Sequence, residues 1–317
     1  MSPAGGPEDP GQQVLVGGRR LTLRNLDKVL YPDTATTKGE VLAYYTGVAP
    51  AMLAHLRDRP VTRKRWPDGV TGPSFFEKNL PNGTPDWVRR VRLPVPGSTM
   101  DRETIVFPLL DDLAALVWSV NLASLELHVP QWTVAADVVQ AADVVQAVLH
   151  RPNRLVIDLD PGAPAGLAEC AQVALAVRER LAADGLEAFP VTSGGKGMQL
   201  YAPISGEQDV ELVHGYAKRL AEALEKAMPR LVVSRMAKNL RPGRVLLDWS
   251  QNHSTKTTIA PYSLRGGGRP QAAAPRQWSE LEAGGLSQLD HVAVSARLAA
   301  DGDLLSPLLG PGPMLPG

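Results

Sequence analysis

The chain has 317 residues, with 33 Lys and Arg balancing 33 Asp and Glu, 44% apolar and 21% charged residues, which excludes a disordered chain and supports a sizeable buried core. The single cysteine, Cys170, excludes a disulfide framework or a cysteine-built zinc site and fits a reducing cytoplasm. No apolar run approaches the ~18 residues of a membrane span and the first residues lack a signal-peptide pattern, so no membrane partner is expected.

Residues 1–14 and 304–317 are rich in Pro and Gly and read as flexible tails, leaving 15–303 as one continuous domain with at most two lobes. Lys28 and Lys38 flank Tyr31-Pro32, and Arg63, Lys64 and Arg65 precede Trp66; each group reads as a solvated basic face. Phe75 and Phe76 are adjacent, and neighbouring aromatics on an extended segment cannot both enter one core, which leaves one for base stacking. His128, in the strand-like LELHVPQW, taken alone reads as a core histidine. The tandem AADVVQ at 135–146 predicts a short helix or helical turn.

Strands are predicted at 154–160, 188–192, 198–204 and 244–249, where apolar and β-branched runs are bounded by Gly, Pro or Asn. Helical spacing of Leu167, Val173, Val177 and Leu181, stopped by Gly185, predicts a helix over 164–184. A second, over 208–228, carries Val213, Leu220 and Leu224 and ends before Pro229. Alternating strands and helices imply a mixed α/β fold, a sheet covered by helices.

The chemistry concentrates on acids at strand ends. Asp158 and Asp160, two apart in RLVIDLD, project on one face while Ile157 and Leu159 enter the core. A carboxylate pair repels itself unless a cation lies between, and hard divalent ions suit oxygen ligands. Asp248 ends another apolar strand, and it is the single acid among eight basic residues in 230–269. Metal-bridging carboxylates beside phosphate-binding cations describe nucleotidyl transfer, although DLDPG is also what a polar strand end running into a turn looks like. The glycines of Ser193-Gly194-Gly195-Lys196-Gly197 let backbone N–H groups approach phosphate. That loop is not a Walker A motif, and a simple hairpin turn fits it equally.

Together and in order, DKVLYP (27–32), RKRWPDG (63–69), FFEKN (75–79), LELHVPQW (125–132), RLVIDLDPG (154–162), TSGGKG (192–197), LDWSQN (247–252) and KTTIAPYSLRG (256–266) resemble the polymerase domain of bacterial ligase D, over about residues 20–303. The resemblance implies an archaeo-eukaryotic primase-like fold, with central mixed or antiparallel sheets flanked by helices. It implies gap-filling and end-processing in non-homologous end joining, by addition of NTP or dNTP with two ions, Mn2+ or Mg2+. By position, Asp158, Asp160 and Asp248 match the metal-binding carboxylates and His128 a histidine needed for activity. Ser193, Lys196, Gln199 and Arg265 match residues around the triphosphate, and Lys238 and Arg241 a basic loop beside it. Lys28 and Lys38 match a pocket for the 5′-phosphate of gapped DNA, Phe75 and Phe76 the aromatics at the template bend, and Arg63 and Lys64 count as DNA contacts.

One position departs from the family's SGxKGxH: Gln199 stands where His is usual, and an amide can donate to phosphate but brings no charge. Two alternatives stay open, a primase-polymerase of excision repair or priming, and a 5′-phosphate end-binding module with weak catalysis. Ku and a separate ATP-dependent DNA ligase are the protein partners the resemblance leaves open, and the nucleoid is the place of action it implies.

Overall fold

The computed structural model describes residues 10–95, 103–134 and 151–317; the AADVVQ repeat lies outside them. A hairpin of β1 (Gln12–Val16) and β2 (Arg19–Leu23) leads through β3 (Val29–Tyr31) and β4 (Thr36–Thr37) into helix α1 (Lys38–Leu56). Thr37 caps that helix reciprocally with Glu40. Next come β5 (Thr62–Arg65), β6 (Phe75–Glu77), the hairpin of β7 (Arg90–Pro94) and β8 (Thr104–Pro108), α2 (Leu113–Asn121) and β9 (Ser124–Val129). Then follow β10 (Arg154–Pro161), α3 (Leu167–Ala183), β11 (Phe189–Thr192), β12 (Met198–Pro203), α4 (Val210–Ala227), β13 (Val232–Val233) and β14 (Val245–Asp248). The chain continues through β15 (Thr258–Ile259), β16 (Ala274–Pro275), α5 (Trp278–Ala283) and α6 (His291–Asp301).

Two sheets organise the molecule. One has the order β15-β9-β5-β6, and the other β13-β14-β10-β12-β11-β16, antiparallel except where β13 meets β14. Each of the four strands and both helices predicted between 154 and 249 is present within a few residues of its expected bounds. The reason lies in how completely they are buried. Leu155, Ile157 and Leu159 of β10 pack with Val173 and Val177 of α3 and Val213 and Leu220 of α4. The other face of β10 is sealed at its start, where Val156 meets Tyr201, Ile259 and Leu305, and opens to solvent at Asp158 and Asp160. Strand β10 therefore leaves the core at its acids, in the gap between the two sheets.

Both tails depart from expectation. Strand pairing already begins at Gln12, opposite Leu23. Residues 304–317 are packed rather than loose: Leu305, Leu308 and Leu315 are buried, and the Gln208 side chain bonds both the N–H and the carbonyl of Leu315. Three leucines with apolar burial outweigh the Pro and Gly around them. Among the described residues no helix is long and apolar enough to cross a membrane.

Candidate active site

Strand register assembles the acids. Asp158 stands directly opposite Asp248 of β14 on one side and Gln199 of β12 on the other, and directly opposed residues share a face. Asp160, two residues on, shares it too. Burial, reinforced by the charges of Asp248 and Asp160 and only partly offset by an N–H bond from Gln199, pushes the Asp158 carboxyl up to about 7. Asp248 accepts from the Ser250 backbone at 3.1 Å and hydroxyl at 2.5 Å and from the Gln251 amide at 2.8 Å. The half-exposed Asp160 pairs with Arg241 at 3.4 Å. Among the described residues no three His, Cys, Asp or Glu side chains converge as a ready-made metal cluster. The donors nevertheless fit hard divalent ions: they are all oxygen, they face one way, and mutual repulsion at Asp158 is what a cation would relieve.

Gln199 lines the cleft, with its amide engaged inside the sheet. Its Nε2 donates to Asp158 Oδ1 at 3.1 Å while its Oε1 accepts from the Tyr201 hydroxyl at 2.7 Å, and the side chain is buried. Its place opposite Asp158 on the neighbouring strand puts its amide within reach of that carboxylate.

Facing the acids is a wall from the other sheet. Lys64, Glu126 and Phe76 occupy paired positions on β5, β9 and β6, so they share a face with His128. His128 lies edge-on to Phe76, and its Nε2 is 2.8 Å from Glu126. Glu126 also accepts from the Gly266 N–H at 3.0 Å and pairs with Arg265 at 3.5 Å. Burial alone would raise the Glu126 carboxyl, but His128, Arg265 and the Gly266 N–H hold it down to about 2. Burial in turn lowers His128 against the pull of Glu126. Sequence reasoning missed Glu126. The available signal was its spacing of two from His128 in a strand whose Leu125, Leu127 and Val129 are all buried.

The glycine-rich loop closes a third side. Ser193 donates through both its N–H and its hydroxyl to the Gly197 carbonyl, at 3.0 and 2.9 Å, so the hydroxyl braces the turn. Gln288, also unforeseen, clamps the loop by accepting from Gly194 N–H at 2.7 Å and donating to Gly197 O at 2.9 Å. A Cβ on Gly197 would lie 2.0 Å from the Leu159 carbonyl, so only glycine lets the loop lie against the acid-bearing strand. The loop, the acids and the wall enclose an open cleft of about 570 Å³, into which Lys64, His128, Lys196 and Arg265 face. Lys196 is exposed there.

The remaining expected residues divide. Phe76 is 60% exposed at the edge of the wall, and Lys64 lies over its ring and that of Trp66. Phe75 is also exposed, with the Arg65 guanidinium over its ring. Arg63, expected at the DNA surface, is instead wholly buried, ion-paired to Glu77 and stacked on Trp118. Strand alternation turns Arg63 inward while Lys64 faces the cleft. Lys28 and Lys38 are neighbours in space, joined by a Lys38 N–H bond to the Lys28 carbonyl. The Lys28 ammonium pairs with Asp68, and the buried Lys38 ammonium donates to the Arg24 carbonyl. Lys238 opens a short 3₁₀ segment, Lys238–Leu240, and Arg241, which caps its end, pairs with Asp160.

Comparison with known proteins places these features in context. Residues 37–305 match the family model described as LigD, primase-polymerase domain. The chain is 47% identical over 296 residues to the multifunctional non-homologous end joining DNA repair protein LigD of Mycobacterium tuberculosis, covering 93% of this chain and 38% of that protein. It is 34% identical over 265 residues to the bifunctional non-homologous end joining protein LigD of Bacillus subtilis, covering 83% of this chain and 40% of that one. The chain thus spans about two fifths of the length of these relatives. The polymerase domain of Mycobacterium tuberculosis Ligase D, solved in complex with DNA, superposes with a TM-score of 0.85 at 48% identity, covering 92% of this chain and 98% of that one.

Proposed function

The chain belongs to the LigD primase-polymerase domain family, and from that premise we propose that it is a DNA-directed nucleotidyltransferase that fills gaps and processes ends in non-homologous end joining. One observation carries the reading: Asp158, Asp160 and Asp248 share one sheet face, across a cleft from Lys64, His128, Lys196 and Arg265. Two divalent ions, Mn2+ or Mg2+, bound by the three carboxylates would supply Lewis-acid stabilisation of charge at the transferring phosphoryl group. The other work falls to the chain itself. Lys196 and Arg265 neutralise the triphosphate, and the backbone of Ser193–Gly197 fixes its position. Gln199 holds the Asp158 carboxylate in place, its other end anchored by Tyr201. Phe76 and Lys64 receive a base and the adjoining phosphate of the template strand. Lys28 and Lys38 form the basic corner for a recessed 5′-phosphate, and Lys238 and Arg241 approach the nucleotide from the Asp160 side.

The test is single-nucleotide addition to gapped DNA, with a 5′-phosphate or a 5′-hydroxyl downstream, in Mn2+ and in Mg2+. Asp158→Ala and Asp160→Ala are expected to lose roughly 10³-fold in addition, about 4 kcal/mol of barrier, while still binding the gapped duplex. Near-normal addition by either variant would remove the proposal. Strong, phosphate-dependent binding with no addition by the wild type would favour the end-binding module instead.

A further inference from the structure

Glu126 is buried, with only 5% of its surface exposed, in a strand whose neighbouring residues carry the wall of the cleft. One carboxylate touches three groups. Its Oε2 is 2.8 Å from His128 Nε2 and 3.5 Å from Arg265 Nη1, and its Oε1 accepts from the Gly266 N–H at 3.0 Å. The same Arg265–Gly266 segment is held from its other side, where the Tyr31 hydroxyl donates to the Arg265 carbonyl at 2.9 Å. A carboxylate can only accept, so the His128 nitrogen facing it carries a proton, and in the neutral ring Nδ1 keeps its lone pair.

We infer that Glu126 is a positioning residue: it fixes His128 in the Nε2–H tautomer and tethers Arg265, so that both meet the nucleotide already ordered. The inference rests on the reading above that the cleft lined by His128 and Arg265 receives the nucleotide. Pre-ordering matters because each group would otherwise lose side-chain freedom on binding. Glutamine has the same shape but only one accepting oxygen, so it cannot serve His128, Arg265 and Gly266 together.

The experiment compares wild type, Glu126→Gln and Glu126→Asp. In Glu126→Gln the nucleotide KM is expected to rise severalfold and kcat to fall by roughly 10- to 100-fold, with affinity for gapped DNA unchanged. Glu126→Asp keeps the charge and is expected to recover part of both losses. An unchanged KM, with kcat falling only in step with the folded fraction and equally in both variants, would reduce Glu126 to scaffold and overturn the inference. A second readout needs no substrate and no Glu126 variant: 15N-histidine NMR of the wild type, with His128 assigned through His128→Gln. Nε2–H is the expected tautomer, and an Nδ1–H tautomer would overturn the inference. A wild type without addition activity would remove the reading of the site, whereas the tautomer would still decide for or against the Glu126 tie.

Discussion

Replacing Gly266 by Ala places a methyl carbon 2.1–2.5 Å from three ring carbons of Trp66. Ordinary carbon contacts are ~3.5–4.0 Å, so more than an ångström must be found on one side or the other. Neither side yields readily. Trp66 is buried and its backbone N–H is bonded to the Ala123 carbonyl, while Gly266 N–H is tied to Glu126 and the Arg265 carbonyl to Tyr31. Overpacking between two fixed walls costs about 3 kcal/mol, which for a chain of this size lowers Tm by about 6–10 °C. The adjacent Gly267 supplies the control, because a Cβ there meets nothing within 4 Å, and its Ala variant is expected within about 0.5 kcal/mol of wild type. Both variants would be followed by equilibrium urea unfolding and by nucleotide addition, where Gly266→Ala also displaces Arg265 and raises nucleotide KM. Equal stability of the two variants would refute the argument, since they differ in little but the space around the new methyl.

Four further outcomes are expected. Arg63→Ala should destabilise the fold by about 2–4 kcal/mol, because it leaves Glu77 to Arg65 alone inside the protein, and should leave DNA affinity intact. Lys64→Ala should do the reverse, sparing stability and lowering the salt slope of DNA binding by about one; a matching slope in the two variants would contradict the inward and outward assignment. Gln288→Ala removes both bonds that clamp the glycine loop and should raise nucleotide KM about fivefold at unchanged DNA affinity, whereas an unaltered KM would show that the loop holds itself. For pH, burial lowers His55, and bonds from His55 and Tyr262 lower Asp303 although burial alone would raise it. Both groups therefore bind fewer protons folded than unfolded, so their contribution to stability is greatest above roughly pH 6.5, falls as pH drops through that value, and falls again near the usual carboxylate range of about 4. Urea midpoints at pH 5 and pH 7.5 measure the first fall, which should flatten in His55→Gln; an identical slope would argue against it.

The middle of the chain was legible because its strands are continuous apolar runs with Gly or Pro at their ends, a pattern few other structures produce. The alternation in β10 likewise put Asp158 and Asp160 on one face without knowledge of the partner strands. What failed was reading a charge run by composition: Arg63, Lys64 and Arg65 are three cations in sequence but lie on two faces of a strand. The burial of Leu308 and Leu315 was hidden in the same way by surrounding Pro and Gly. Glu126 escaped for a different reason. Its importance comes from Arg265 and Gly266, which the fold brings from a distant part of the chain, and no local spacing announces such a partner. Gln199 shows the same limit: its bond to Asp158 follows from the pairing of two strands that no local spacing announces.

The placement of Asp158 between β12 and β14 also bears on how the protein folds. Gln199 and Asp248 are far from it in sequence, with α3 and α4 formed between them, so the acids meet only when the central sheet closes. Their repulsion is then absent from the unfolded chain, weak in a loosely formed transition state, and full in the finished protein. Such a penalty acts on the unfolding limb of the kinetics rather than on the refolding limb. Asp158→Asn, studied without divalent ions, should accordingly unfold more slowly than wild type while refolding at nearly the same rate. The acids that equip the cleft for chemistry would thereby set the lifetime of the native state, and their arrangement would leave almost no mark on the speed with which it is reached.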